Sequence, residues 1–177
     1  MGLTGSSGTG KSTISKHLAS KRGLFVEEGS VLIRRAASER GQSLSSRADY
    51  EAVFRAEQRS RGMTWLSDSL LASNYERKLQ GGLRAQCDFL NLKKASGFIV
   101  ALVCPIEICL ERIDTSNPKN PRTAEEYIQH QAIENTPDQN GYGTHTSWCV
   151  ENADYTIDTS GPLDVTLAEI DALIIQI

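Results

Sequence analysis

No apolar run in this chain approaches the roughly 18 consecutive residues that a membrane-spanning helix needs. No signal-peptide pattern precedes its glycine-rich opening, so the expected setting is aqueous and no membrane partner is expected. Cysteine is sparse: Cys87, Cys104, Cys109 and Cys149 are scattered, with no CxxC pair and no mixed His/Cys ligand spacing. That excludes a zinc ribbon, a thioredoxin-like redox motif and a disulfide framework, and predicts ordinary thiols in a reducing, cytoplasmic setting. Internal repeats, low-complexity tracts and linker-like segments are absent, so the chain reads as a single domain over 1–177. The net charge is only −3, too acidic a balance for an obvious nucleic-acid binder. A guanine-reading Asn-Lys-x-Asp is also missing, since Asn91-Leu92-Lys93-Lys94 does not supply it, and this argues against a GTPase switch.

What is present is chemistry concentrated at the amino terminus. Gly5-Ser6-Ser7-Gly8-Thr9-Gly10-Lys11-Ser12 fits G-x-x-x-x-G-K-[ST] at every fixed position. Glycines let a backbone approach phosphates closely, and successive N–H groups then form an anion nest. The helix that follows aims its positive end at the same place. Lys11 adds a cation for the outer phosphates, and Ser12 offers a hydroxyl to Mg²⁺. The context agrees, because an apolar strand end precedes the motif and an amphipathic helix follows it. ATP and Mg²⁺ are the expected cofactors, with residues Gly5 to Ser12 and the adjoining Thr13 as the nucleotide cradle.

Along the chain, helix-like and strand-like segments alternate. Residues 12–22, 30–41, 46–62, 63–79, 106–113, 123–135 and 162–177 read as helices. Residues 24–28, 98–104 and 154–158 read as strands, with 98–104 apolar enough for the centre of a parallel sheet. Such alternation predicts an α/β fold with a parallel sheet. The polar stretch 114–122, with two prolines, is the best loop candidate. Seven of the twelve arginines (Arg34, Arg35, Arg40, Arg47, Arg55, Arg59 and Arg61) fall in one stretch. They read either as a solvated helical face balanced by Glu39, Asp49, Glu51 and Glu57, or as a surface for an anionic substrate. His17, His130 and His145 have no partners at useful spacing and are expected to be solvated. Trp65 and Trp148 are expected to pack.

Beyond the P-loop, several segments fall in a recognisable order. Glu28-Gly29-Ser30 is followed by Arg34, then come Gly81-Gly82-Leu83-Arg84, the strand-to-helix segment ALVCPIEICLERI, and Ala153 to Gly161. Together they resemble the nucleotide-kinase branch of P-loop proteins, above all dephospho-CoA kinases and a related archaeal group of nucleotide kinases. The resemblance implies a three-layer α/β/α fold with a five-stranded parallel sheet and an ATP-dependent phosphotransferase acting on a nucleotide or nucleotide-like acceptor. It implies a helical, substrate-facing segment over about 41–80 and a short lid over about 113–123. It places Glu28 at the acceptor or metal, Arg34 and Arg84 on the acceptor's anionic groups, Arg112 on the transferring phosphate, Lys119 and Arg122 in the lid, and Gly161 against adenine. Lys11, Glu28 and Arg112 are thus the expected catalytic set. Gly81 stands where that branch carries aspartate, which leaves Glu28 as the local carboxylate.

Three other readings share these residues. A bacteriophage-type kinase of hydroxymethylpyrimidine bases would meet DNA through Arg34–Arg61. Dephospho-CoA would serve as a specific acceptor. A nucleotide-binding module without turnover would explain the missing aspartate at 81.

Overall fold

The computed structural model describes residues 1–116 and 120–176. Five strands, β1 (Gly2–Thr4), β2 (Phe25–Glu28), β3 (Lys78–Leu83), β4 (Ile99–Val103) and β5 (Tyr155–Asp158), form one sheet in the order β2-β3-β1-β4-β5. All four pairings are parallel. The helices are α1 (Lys11–Arg22), α2 (Gly29–Glu39), α3 (Arg47–Arg61), α4 (Trp65–Ala72), α5 (Gln86–Lys94), α6 (Ile106–Arg112), α7 (Ala124–Glu134), α8 (Thr146–Glu151) and α9 (Leu163–Gln176). The three-layer α/β/α architecture with a five-stranded parallel sheet is the expected one.

Both sheet faces are covered, which is why the central strands carry apolar residues on each side. On one face Leu3, Leu79, Val100, Leu102 and Ile157 pack with Ile14 and Leu18 of α1 and Ile170 of α9. On the other, Leu83 and Ile99 pack with Leu70 of α4, Phe89 and Leu92 of α5, and Cys149 of α8. A third cluster of Leu32, Phe54, Trp65, Leu66 and Ala85 joins α2, α3 and α4 beside the sheet. Both tryptophans pack as expected: Trp65 lies 6.1 Å from Phe54, and Trp148 meets Phe89 edge-on at 5.2 Å. All four cysteines are free thiols, and burial pushes Cys87 and Cys149 up to about 12. Among the described residues no helix is long and apolar enough to cross a membrane.

Two expectations need correction. The stretch 63–79 is not one helix. Helical structure stops at Ala72, and Lys78–Leu83 is β3, an inner strand between β2 and β1. The polar residues there mislead because the strand is held by its backbone ladder and by a tertiary partner for Lys78. The Lys78 ammonium donates to the carbonyls of Leu71 (2.8 Å) and Ser73 (2.5 Å), and the Gln80 amide joins the ladder through Met1 O at 2.9 Å. Ladder pairing outweighs local propensity. Helical structure in the segment expected to face the substrate therefore ends at Ala72, and Gly81 and Gly82 belong to the strand. Second, His17 is not solvated. Its Nε2 lies 3.1 Å from Asp171, which also receives Lys21 and Arg22, so α1 is stapled to α9.

Candidate active site

The chain leaves β1 at the middle of the sheet, passes to β2 on one side, and reaches β4 on the other only after returning through β3. Connections that diverge like this open a crevice at the carboxyl ends of the strands. The loop 5–10 sits in that crevice. Gly8 holds φ +82°, and a Cβ there would lie 2.6 Å from the Cys109 carbonyl, so the loop rests directly on α6. No side chain caps α1, which starts at Lys11 behind Gly10. Its first amides therefore face the cleft, where an anion is the natural partner.

Lys11 is buried and folded back on its own loop. Its Nζ donates to Ser6 O at 2.5 Å and lies 3.3 Å from Thr9 Oγ1. The ammonium is held down to about 7, first by burial and then by the Arg84 guanidinium, against the pull of Glu134 and Glu28. Ser12 is exposed on the cleft wall. Thr159, at the end of β5, donates its hydroxyl to Thr9 O at 3.1 Å and ties the loop to the far strand.

The cleft has a volume of about 670 Å³. Residues 7–13 line one wall, and Arg112, Thr159, Gly161, Leu163 and Thr166 line the side next to β5. Arg112 donates to Thr159 O at 2.8 Å, so its guanidinium is fastened to the β5 terminus. A smaller recess of about 120 Å³ adjoins Lys11 and Ser12, lined by Glu28, Ser30, Arg47, Tyr50, Arg84 and Thr144 among others. This recess holds the residues expected to meet an acceptor. Arg34 lines the mouth and donates to the Tyr50 hydroxyl at 3.5 Å. Among the described residues nothing hydrogen-bonds or ion-pairs with the half-buried Glu28 carboxylate. Such a group retains its acceptor capacity for a ligand.

Sequence reasoning missed the organising role of α7. Tyr127, Gln131 and Glu134 lie at i, i+4 and i+7 on one face. The Tyr127 hydroxyl donates to Ser7 O at 2.6 Å, and the Gln131 amide to Ser6 Oγ at 3.0 Å. The buried Glu134 receives both Arg47 and Arg84 on the same carboxylate oxygen. One helix thus touches the phosphate loop at one end and the acceptor-side arginines at the other. Only the i, i+4, i+7 spacing of polar residues could have signalled it, and solvated helices show the same spacing. Arg47 was visible as one of seven clustered arginines, with nothing to single it out.

Of the predicted residues, Ser7 to Thr13, Arg34, Arg84, Arg112 and Gly161 line the main cleft, and Glu28 lines the recess. Gly5 and Ser6 lie behind them at the root of the loop. From the lid, Ile113, Asn120 and Pro121 reach the cleft. Arg122 does not; it is exposed, and its amide donates to Glu126 at the start of α7. Lys119 lies outside the described residues. Six of the seven clustered arginines are paired with carboxylates: Arg35 with Glu39, Arg40 with Glu57, Arg47 with Glu134, Arg55 with Glu51, Arg59 with Asp138, and Arg61 with Glu39 and Glu57. The pairing leaves little free cation density of the kind that a DNA backbone selects, but Arg47 and Arg84 share the single Glu134 carboxylate, so a positive charge remains beside the recess.

The donor set fits a nucleotide with Mg²⁺. Among the described residues no three His, Cys, Asp or Glu side chains gather into a metal cage. Mg²⁺ commonly relies instead on phosphate oxygens, water and one or two protein ligands, for which Ser12 and Glu28 are placed.

No curated protein matches the sequence. Among solved structures, shikimate kinase from Acinetobacter baumannii in complex with shikimate superposes with a TM-score of 0.62 at 19% identity, covering 99% of this chain and 92% of that one. Shikimate kinase from Aquifex aeolicus gives 0.59 at 20% identity over 98% and 94%. A sugar kinase from Janibacter gives 0.54 at 17% identity over 98% and 92%. At these identities the shared property is the fold, which is that of P-loop kinases. The family model of the AAA domain matches residues 1–134. That span runs from β1 through the phosphate loop and the cleft arginines to Glu134, and the chain belongs to this AAA-domain family of P-loop proteins.

Proposed function

We propose that this protein is an ATP- and Mg²⁺-dependent phosphotransferase whose acceptor is a small anionic molecule carrying a hydroxyl, a nucleotide or a nucleotide-like acid. The observation that carries this reading is the unpartnered Glu28 carboxylate, set in a recess with Lys11, Arg47 and Arg84. Phosphoryl transfer asks for positioning and charge neutralisation rather than covalent help. The amides at the start of α1 and the Lys11 ammonium bind the triphosphate tail. Ser12 would hold Mg²⁺, which when bound would supply electrostatic stabilisation of the phosphate oxygens. Arg34, Arg47 and Arg84 orient the acceptor by its anionic group. Glu28 accepts the acceptor's hydroxyl proton, or orients that hydroxyl, at the recess floor. Arg112, fastened to Thr159, shapes the nucleotide half and faces the cleft beside the phosphate loop; Arg122, exposed outside the cleft, takes no part in this arrangement. The Glu28 carboxylate also supports turnover over the non-catalytic reading, because it offers from the neighbouring strand an acid that position 81 lacks.

The test is ATP consumption with Mg²⁺ against nucleoside monophosphates, dephospho-CoA and shikimate, in the wild type and Glu28→Gln. Stoichiometric ADP formation with one acceptor, reduced about a hundredfold or more in the variant, is the expected result. MgATP binding without turnover on any acceptor would support the non-catalytic module, and absence of MgATP binding would refute the site altogether.

A further inference from the structure

Glu28 and Gly81 are cross-strand neighbours in the parallel pair β2·β3. Side chains at paired positions project to the same face of a sheet, so the two compete for one volume. At position 81 there is no side chain, and Glu28 has taken the space. A Cβ built on Gly81 would lie 2.4 Å from Glu28 Oε1, 2.5 Å from Cδ and 2.7 Å from Oε2. All three atoms of the carboxyl group, not merely its tip, rest where that methyl would be. The backbone does not demand glycine here, because Gly81, unlike Gly82 at φ +71°, is outside the positive-φ region. The requirement is one of space alone. Removing that space forces the carboxylate off the strand.

We infer that Gly81 is a positioning residue: the bare backbone of β3 is the berth that seats the Glu28 carboxylate at the floor of the acceptor recess. It rests on the phosphotransferase reading for its catalytic consequence and on the packing alone for its geometric one. Gly81 touches neither nucleotide nor acceptor and acts only through Glu28. The same constraint makes glycine at 81 the condition for this seat of the Glu28 carboxylate, since the flexible side chain would yield to an added methyl by moving away. A shorter acid at 28 relaxes it.

The experiment compares Gly81→Ala, Glu28→Gln, the Gly81→Ala/Glu28→Gln double variant and Gly81→Ala/Glu28→Asp. MgATP affinity is measured by calorimetry, turnover with water as acceptor, and the Glu28 position by crystallography of Gly81→Ala. The single variants are expected to lose turnover alike, on the order of a hundredfold, with MgATP affinity within about twofold of wild type. The double variant should lose no more than either single, since both changes remove the same group. Aspartate at 28 should return part of the lost turnover. In the crystal the Glu28 carboxylate of Gly81→Ala should have left its berth. Multiplying losses, or a carboxylate that stays in place beside the added methyl, would overturn the inference. Should the wild type transfer no phosphate to water, the crystallographic comparison still decides the positioning, while the phosphotransferase reading stands or falls separately on turnover with the acceptor panel. Retained MgATP affinity shows that each variant carrying Gly81→Ala is folded, so the kinetic comparison reads the displaced carboxylate and not a folding defect.

Discussion

Nucleotide binding should draw a proton out of solution, and the amount follows from Lys11. In the ligand-free protein the ammonium is held down to about 7 by burial and by Arg84. At pH 8 only about one Lys11 side chain in ten is then protonated, against about one in two at pH 7 and nine in ten at pH 6. A triphosphate replaces the lost hydration with negative charge and restores the ammonium towards its ordinary range near 10.4. Binding MgATP at pH 8 should therefore take up about 0.9 proton, and at pH 6 about 0.1. The second ionisation of a phosphate, near 6, is nearly complete by pH 8 and contributes little. Calorimetry in two buffers of different ionisation enthalpy reads the proton count from the difference in apparent heat. Lys11→Met removes the effect. Without ligand that variant should also melt higher than wild type below pH 7, because a lysine with a depressed midpoint destabilises the fold while charged. For wild type this contribution favours the fold increasingly as pH rises from about 7 towards 10.4. Identical heats in both buffers at pH 8 would refute this account of Lys11 and leave the loop without its charge switch.

Glu134→Ala leaves the Arg47 and Arg84 guanidiniums facing each other without their shared carboxylate. Breaking a buried pair in this way costs about 3–5 kcal/mol, which at about 2–4 °C per kcal/mol for a domain of this size lowers the melting temperature by roughly 6–20 °C. A loss below about 2 °C would show that α7 does not anchor the arginines. Asp88 is fully buried on α5 and accepts from Ser67 N (2.9 Å) and Ser67 Oγ (2.7 Å), yet burial pushes it up to about 7. Its folded form holds a proton that the unfolded chain releases near 3.9, so stability falls as pH rises from about 4 to 7. Asp88→Asn should flatten that slope in thermal melts between pH 5 and 8, and an unchanged slope would assign the pH dependence elsewhere.

The phosphate loop was legible because its residues are dictated locally. A loop that contacts phosphate through its own amides needs glycine, lysine and serine at fixed offsets, whatever surrounds it. The strand 99–103 was legible for a related reason, since burial on both faces leaves an unbroken apolar run. β3 was not, because Lys78 and Gln80 are polar and what holds them there, the carbonyls that take the Lys78 ammonium and the ladder to β1 and β2, comes from elsewhere in the fold. The acceptor half was half legible: Glu28, Arg34 and Arg84 stood out by their order along the chain, whereas Arg47, Tyr50 and Glu134 did not. Each of these lies on a helix whose cleft-facing side is set by packing.

By itself, then, the amino-acid sequence determined the alternation of strands and helices, the nucleotide cradle and the presence of acid and arginine near it. Only the tertiary structure decided which arginines are bound to carboxylates, which carboxylate is left without a partner, and that an empty position on β3 is filled from β2. The reason is physical. Chain-local geometry follows from residue type, but the ionic partner of a side chain and the space left by a missing one depend on segments brought together from distant parts of the chain.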